Sequence, residues 1–87
     1  MRVEFHKHFL KSYRKLRQKE RQQCDERLAL FTQDRMYPLL HDHELVGDYV
    51  GYRSINITGD LRAVYKEIAG GLCIFVDIGT HGELYEK

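Results

Sequence analysis

Three strand-like stretches follow one another in the second half of the chain, residues 52–57, 61–68 and 72–78, each rich in β-branched and aromatic side chains. The links between them, Thr58-Gly59-Asp60 and Ala69-Gly70-Gly71, are too short for a crossover, so the three strands must pair as antiparallel hairpins. Such a sheet has one face to bury, and the first half of the chain has to cover it.

That half is patterned for the task. Residues 1–5 alternate apolar and polar and predict a short strand at a sheet edge. Phe5, Phe9, Tyr13 and Leu16 then recur at helical spacing, with Lys7, Lys11, Arg14, Lys15 and Arg17 around the other faces. A second helix is expected from near Lys19 or Glu20, carrying Cys24, Leu28 and Phe31 on one stripe with Leu30 beside it, and ending before Pro38. The two helices predict an antiparallel hairpin with one apolar face. Residues 37–51 read as a loop holding Pro38, Gly47, Gly51 and the polar run His41-Asp42-His43-Glu44. The expected fold is α+β and one domain over residues 1–87: a short strand and a helical hairpin packed on one face of a small, mainly antiparallel sheet.

Charge and cysteine usage narrow the setting. Residues 1–30 hold nine Lys or Arg against four Asp or Glu, a balance of +5, whereas residues 31–87 hold five against nine, a balance of −4. A basic half suits phosphates or an acidic partner, and equally suits a solvated helix face. No stretch approaches the roughly eighteen consecutive apolar residues of a membrane span. The polar start is not that of a signal peptide. Cys24 and Cys73 are expected as buried free thiols rather than a disulfide, in keeping with a cytoplasmic home.

Register follows from the hydrophobic pattern, because a slip of one residue exchanges the two faces of a strand. Pairing Glu67 with Leu72 places Leu61, Ala63, Tyr65, Ile74, Val76 and Ile78 on the core face. Arg62, Val64, Lys66, Phe75 and Asp77 then fall on the open face. Around Gly59, Tyr52, Ser54 and Asn56 join the open face, and Ile55 and Ile57 join the core. If the tail stays extended, His81 follows Asp77 onto the open face, so that Asp60, Arg62, Asn56 and His81 cluster.

One arginine, one carboxylate and one or two histidines on an open face suit phosphodiester chemistry. Histidine takes and gives protons near neutral pH, and arginine grips a phosphate bidentately. In RNA the neighbouring 2′-hydroxyl is the nucleophile, so no metal or cofactor is needed. The competing arrangement is a salt bridge from Arg62 to Asp60 or Asp77, with His81 merely capping the tail. Neither His6/His8 nor His41/His43 has a third ligand at a recognised spacing, so no metal site is expected. Tyr49, Tyr52, Tyr65 and Tyr85 offer stacking surfaces, although Tyr65 is assigned to the core.

Four pieces in order carry a family resemblance: Asp42-His43-Glu44-Leu45-Val46-Gly47, Gly51-Tyr52-Arg53, residues 58–65, and Ile78-Gly79-Thr80-His81 with Leu84-Tyr85. Over nearly the whole chain the sequence resembles the RelE/ParE toxin superfamily, closest to its YafQ-like mRNA interferases. The resemblance implies a RelE-like fold. It also implies a type II toxin that cleaves mRNA in the ribosomal A site and is neutralised by a cognate antitoxin, through which alone it meets operator DNA. It matches His43, Asp60, His81 and Tyr85 to acid-base and substrate roles, and Arg62 to a phosphate-binding arginine. His43 comes to the site by this resemblance alone. Arg53 and Asn56 are further substrate-binding candidates, and Arg14 and Lys15 of the first helix are candidates for ribosomal RNA. Two positions depart from the family pattern, Asn56 for a histidine and Leu61 for a tryptophan. The alternative within the superfamily is a ParE-type toxin that inhibits a DNA topoisomerase by binding it, or an inactive member.

Overall fold

The structure, a computed structural model, describes residues 1–85. A strand β1 (Arg2–Phe5) leads into helices α1 (Lys7–Arg14) and α2 (Gln18–Gln33). Strand β2 (His43–Glu44) sits between two short 3₁₀ turns, Pro38–Leu40 and Gly47–Tyr49. Strands β3 (Arg53–Asn56), β4 (Leu61–Ile68) and β5 (Leu72–Thr80) follow, and helix α3 (His81–Tyr85) ends the described chain. The sheet order is β1-β5-β4-β3-β2, with only β1 and β5 parallel.

The helices begin where local chemistry allows. His6 caps α1, its Nδ1 accepting from the His8 N–H at 3.0 Å. At α2 the Arg17 N–H donates to Glu20 Oε1 at 3.0 Å, a carboxylate from the first turn reaching back to the N-cap backbone. The predicted helical hairpin covers the sheet, and Phe9, Cys24 and Phe31 pack into one core with Ile55, Ile57, Leu61, Ala63, Tyr65, Cys73, Phe75 and Ile78. Phe31 meets Tyr65 and Phe75 edge-on, at ring-centroid distances of 4.9 and 5.2 Å. Both cysteines are buried and free. Burial raises the Cys24 thiol to about 12, which keeps it protonated and inert. No helix among the described residues is long and apolar enough to cross a membrane.

The expected β4–β5 register is corrected. Ile68 pairs with Leu72 and Tyr65 with Phe75, one residue away from the predicted pairing. Gly70 and Gly71, at φ of 86° and 78°, close the tighter turn that lets Ile68 stay in the strand. Phe75 therefore points into the core and is fully buried, while Ile74 and Val76 are only half-buried. Beyond Tyr65 the pairing steps from Phe75 to Asp77, leaving Val76 as a bulge; this extra residue restores the parity that puts Ile78 in the core.

Three further expectations change. Asp77 keeps the predicted face, opposite Val64, but is not left open there, since α1 follows β1 beyond Phe5 and engages its carboxylate. Its carboxylate accepts from Ser12 Oγ and faces His8 Nε2, each at 3.3 Å. The loop over residues 37–51 contains β2, whose His43 pairs with Ser54 and Glu44 with Arg53. The tail is not extended: it turns into α3 directly after Thr80.

Candidate nuclease site

The predicted open face is partly roofed. Val64, opposite both Ser54 and Asp77 across the sheet, is fully buried although it lies outside the main core. The roof comes from the 3₁₀ turn Gly47–Tyr49 and from α3, where the Tyr49 hydroxyl donates to the Leu84 carbonyl at 3.1 Å. Tyr85 hangs from α3 with its hydroxyl 3.5 Å from Ser54 Oγ. Its ring is met edge-on by Tyr49 and His81, at centroid distances of 5.4 and 4.9 Å.

Beside this roof lies a cavity of about 290 Å³ lined by His43, Leu45, Val46, Ser54, Arg62, His81 and Tyr85. Four candidates named from the sequence thus converge: His43, Arg62, His81 and Tyr85. Each arrives from its own place in the fold. β2 brings His43 to the position opposite Ser54, and its Nδ1 lies 2.9 Å from the His41 carbonyl. β4 supplies Arg62 opposite Asn56 and Gly79. His81 and Tyr85 open and close α3.

The guanidinium of Arg62 is held by backbone rather than by an acid. Its Nη1 donates to the carbonyls of Thr58 and Leu61 at 2.9 and 3.2 Å. Among the described residues no carboxylate forms an ion pair with it, so the competing Arg62–Asp60 or Arg62–Asp77 bridge is absent. A cation held at one edge and lacking an anion is suited to taking a phosphate.

The other candidates lie outside the cavity lining. Asp60 is exposed on the β3–β4 turn, where its N–H donates to Thr58 Oγ1 at 3.2 Å. Asn56 neighbours Arg62 across the strand pair, and its buried Oδ1 has no hydrogen-bond partner. Arg53 is engaged elsewhere: its Nε is 2.6 Å from Asp42 Oδ1 and its Nη1 is 3.5 Å from Glu44. Arg14 ends α1, exposed, and Lys15 lines a separate cavity of about 350 Å³ together with His8, Ser12 and Asp77. Among the described residues no three His, Cys, Asp or Glu side chains form a metal-binding group.

Sequence reasoning did not name Leu45, Val46 or Ser54 as site residues, and gave Tyr49 only as a stacking surface. Ser54 was legible by strand parity. The others depend on how the 42–51 segment folds back, and no local pattern signals that. Asp42, part of the resemblance, proves to be a tie: its fully buried carboxylate takes Arg53 and the Tyr65 hydroxyl together. Burial and this bond to Asp42 raise the Tyr65 phenol above its ordinary value.

The family described as "Bacterial toxin of type II toxin-antitoxin system, YafQ" matches residues 1–86. No curated protein matches the chain. Among solved structures, YafQ from Escherichia coli superposes with a TM-score of 0.80 at 21% identity, covering 98% of this chain and 99% of that one. The E. coli DinJ–YafQ complex gives 0.67 at 23% identity over 98% and 99% of the two chains. The RelBE2 toxin–antitoxin complex of Mycobacterium tuberculosis gives 0.67 at 16% over 92% and 96%. At these identities the superpositions establish the RelE/YafQ-like fold, and the match along the sequence establishes the rest: the chain belongs to the YafQ family of bacterial toxins of type II toxin–antitoxin systems.

Proposed function

We propose that this toxin is an endoribonuclease that cleaves mRNA in the ribosomal A site. The observation that carries the proposal is the meeting of His43, His81, Arg62 and Tyr85 around one cavity. An RNA 2′-hydroxyl attacks the adjacent phosphorus as one histidine takes its proton. The other histidine protonates the departing 5′-oxygen, leaving a 2′,3′-cyclic phosphate and a 5′-hydroxyl. Arg62 meets the charge that builds on the non-bridging oxygens, and Tyr85 positions a base or the backbone. Asp60, exposed on the β3–β4 turn, serves as a base or orients a histidine once RNA is bound. No step requires a cofactor. The partner that silences the toxin is a cognate antitoxin, in keeping with the complexes that similar chains form.

The test is cleavage of translated mRNA with mapping of the ends. His81→Ala or His43→Ala should each slow cleavage by about 10²–10⁴-fold, the usual worth of a general acid or base. Undiminished cleavage in the double variant would sink the assignment. Growth arrest that survives in that variant without shortened mRNA would point instead to the topoisomerase-binding branch.

A further inference from the structure

We infer that Thr58 is a positioning residue for Arg62, an assignment that rests on the nuclease proposal above. Arg62 has no acidic partner among the described residues, yet its long side chain is not left loose. One guanidinium nitrogen donates to two carbonyls, those of Thr58 and Leu61. The two carbonyls lie at the β3–β4 turn and the first residue of β4, so the geometry of the turn dictates where the guanidinium sits.

Thr58 sets that geometry. Its Oγ1 accepts from the N–H groups of Asp60 and Leu61, at 3.2 and 2.9 Å. Its own N–H donates to the Leu61 carbonyl at 3.2 Å, beside the Ile57 N–H, which donates to the same oxygen at 2.9 Å. A threonine hydroxyl that gathers two following amides fixes a turn that glycine, next in the chain, would otherwise leave free. The Thr58 carbonyl is thereby turned towards Nη1 of Arg62. With that nitrogen engaged, Nη2 and Nε keep their hydrogens for a phosphate in the cavity. The Thr58 side chain itself is absent from the cavity lining. It acts through Arg62 and does not touch the reacting atoms.

Single-turnover cleavage is the test, run on ribosome-bound mRNA well below the melting temperature, with Thr58→Ala and Thr58→Ser made in the natural chain and in an Arg62→Lys background. Thr58→Ala should lower the saturating cleavage rate about tenfold, the scale of one hydrogen bond's net worth, with the half-saturating concentration little changed, and Thr58→Ser should restore it. In the Arg62→Lys background Thr58→Ala should add nothing, because the single nitrogen of an ammonium cannot be held by the two carbonyls and still present separate donors to a phosphate. Equal losses in both backgrounds would overturn the assignment by showing that Thr58 only stabilises the hairpin. Wild-type cleavage by Thr58→Ala, with Arg62→Ala inactive, would overturn it alone. Undiminished cleavage by Arg62→Ala would remove the nuclease proposal and the role of Thr58 with it.

Discussion

Asp42 shows how much one residue of a recognisable motif can do away from chemistry. Its carboxylate is fully buried and meets Arg53 Nε at 2.6 Å and the Tyr65 hydroxyl. A buried carboxylate is stable only when its lone pairs are taken, and here a cation and a phenol take them. The tie fixes the residue immediately before His43, so it also aims the cavity's first histidine. Replacing Asp42 with Ala leaves Arg53 partly buried without its main partner, and should cost about 3–5 kcal/mol in urea unfolding. Tyr65→Phe, which removes one bond of the tie, should cost about 1–3 kcal/mol. Asp42 and Arg53 both stand in the motifs that carried the family resemblance, yet the sequence marked Arg53 as a substrate contact. Only burial reveals that its guanidinium is committed to Asp42.

At the scale of the element, α3 is the part of the site that cannot stand alone. Five residues are far too few for an isolated helix to persist. Its start is fixed by reciprocal bonds, Thr80 N–H to Glu83 Oε1 at 2.8 Å and Glu83 N–H to Thr80 Oγ1 at 3.2 Å. Its end is fixed by the buried Leu84 and by the Tyr49 hydroxyl on the Leu84 carbonyl. Gly79 lets it fold back closely, since a Cβ there would lie 3.3 Å from Glu83 Cβ. Tyr49→Phe removes the bond at the helix end and should speed exchange of the α3 amides and slow RNA cleavage several-fold, with little change in melting temperature, because the core does not include it. An unchanged exchange pattern would show that Leu84 and the capping bonds suffice. The sequence Thr80-His81-Gly82-Glu83 is itself a capping box, a local signal for the helix that the extended-tail expectation overlooked.

Across the whole molecule, charge and chemistry are set apart. The basic first half forms β1, α1 and most of α2, whereas β2, the segment after it, β3, β4 and α3 build the cavity. Arg14 and Lys15, at the end of α1, belong to the proposed contact with ribosomal RNA. Changing both to Gln should weaken ribosome association and flatten its salt dependence, by about 0.7–0.9 in the log-log slope for each phosphate that is no longer neutralised. Cleavage of ribosome-free RNA should change far less. Sedimentation at several salt concentrations checks the first expectation, and an unaltered slope would remove these residues from the ribosome-binding face. Locally coded features of the fold were legible in the chain. The two tight links made the hairpins, the helical spacing of Phe9 and Tyr13 made α1, and parity alone assigned Ile55, Ile57, Ala63 and Ile78 to the core. Parity also placed Arg62 with the face that His81 reaches. The bulge at Val76 and the seat of Asp77 under α1 were not legible, because they depend on where β1 stops and what then covers β5. For the site, sequence by itself determined which residue types were present and which strands carried them. Tertiary structure alone decided that His43 pairs across from Ser54 and that α3 stands over the sheet, because each rests on contacts between segments distant in the chain.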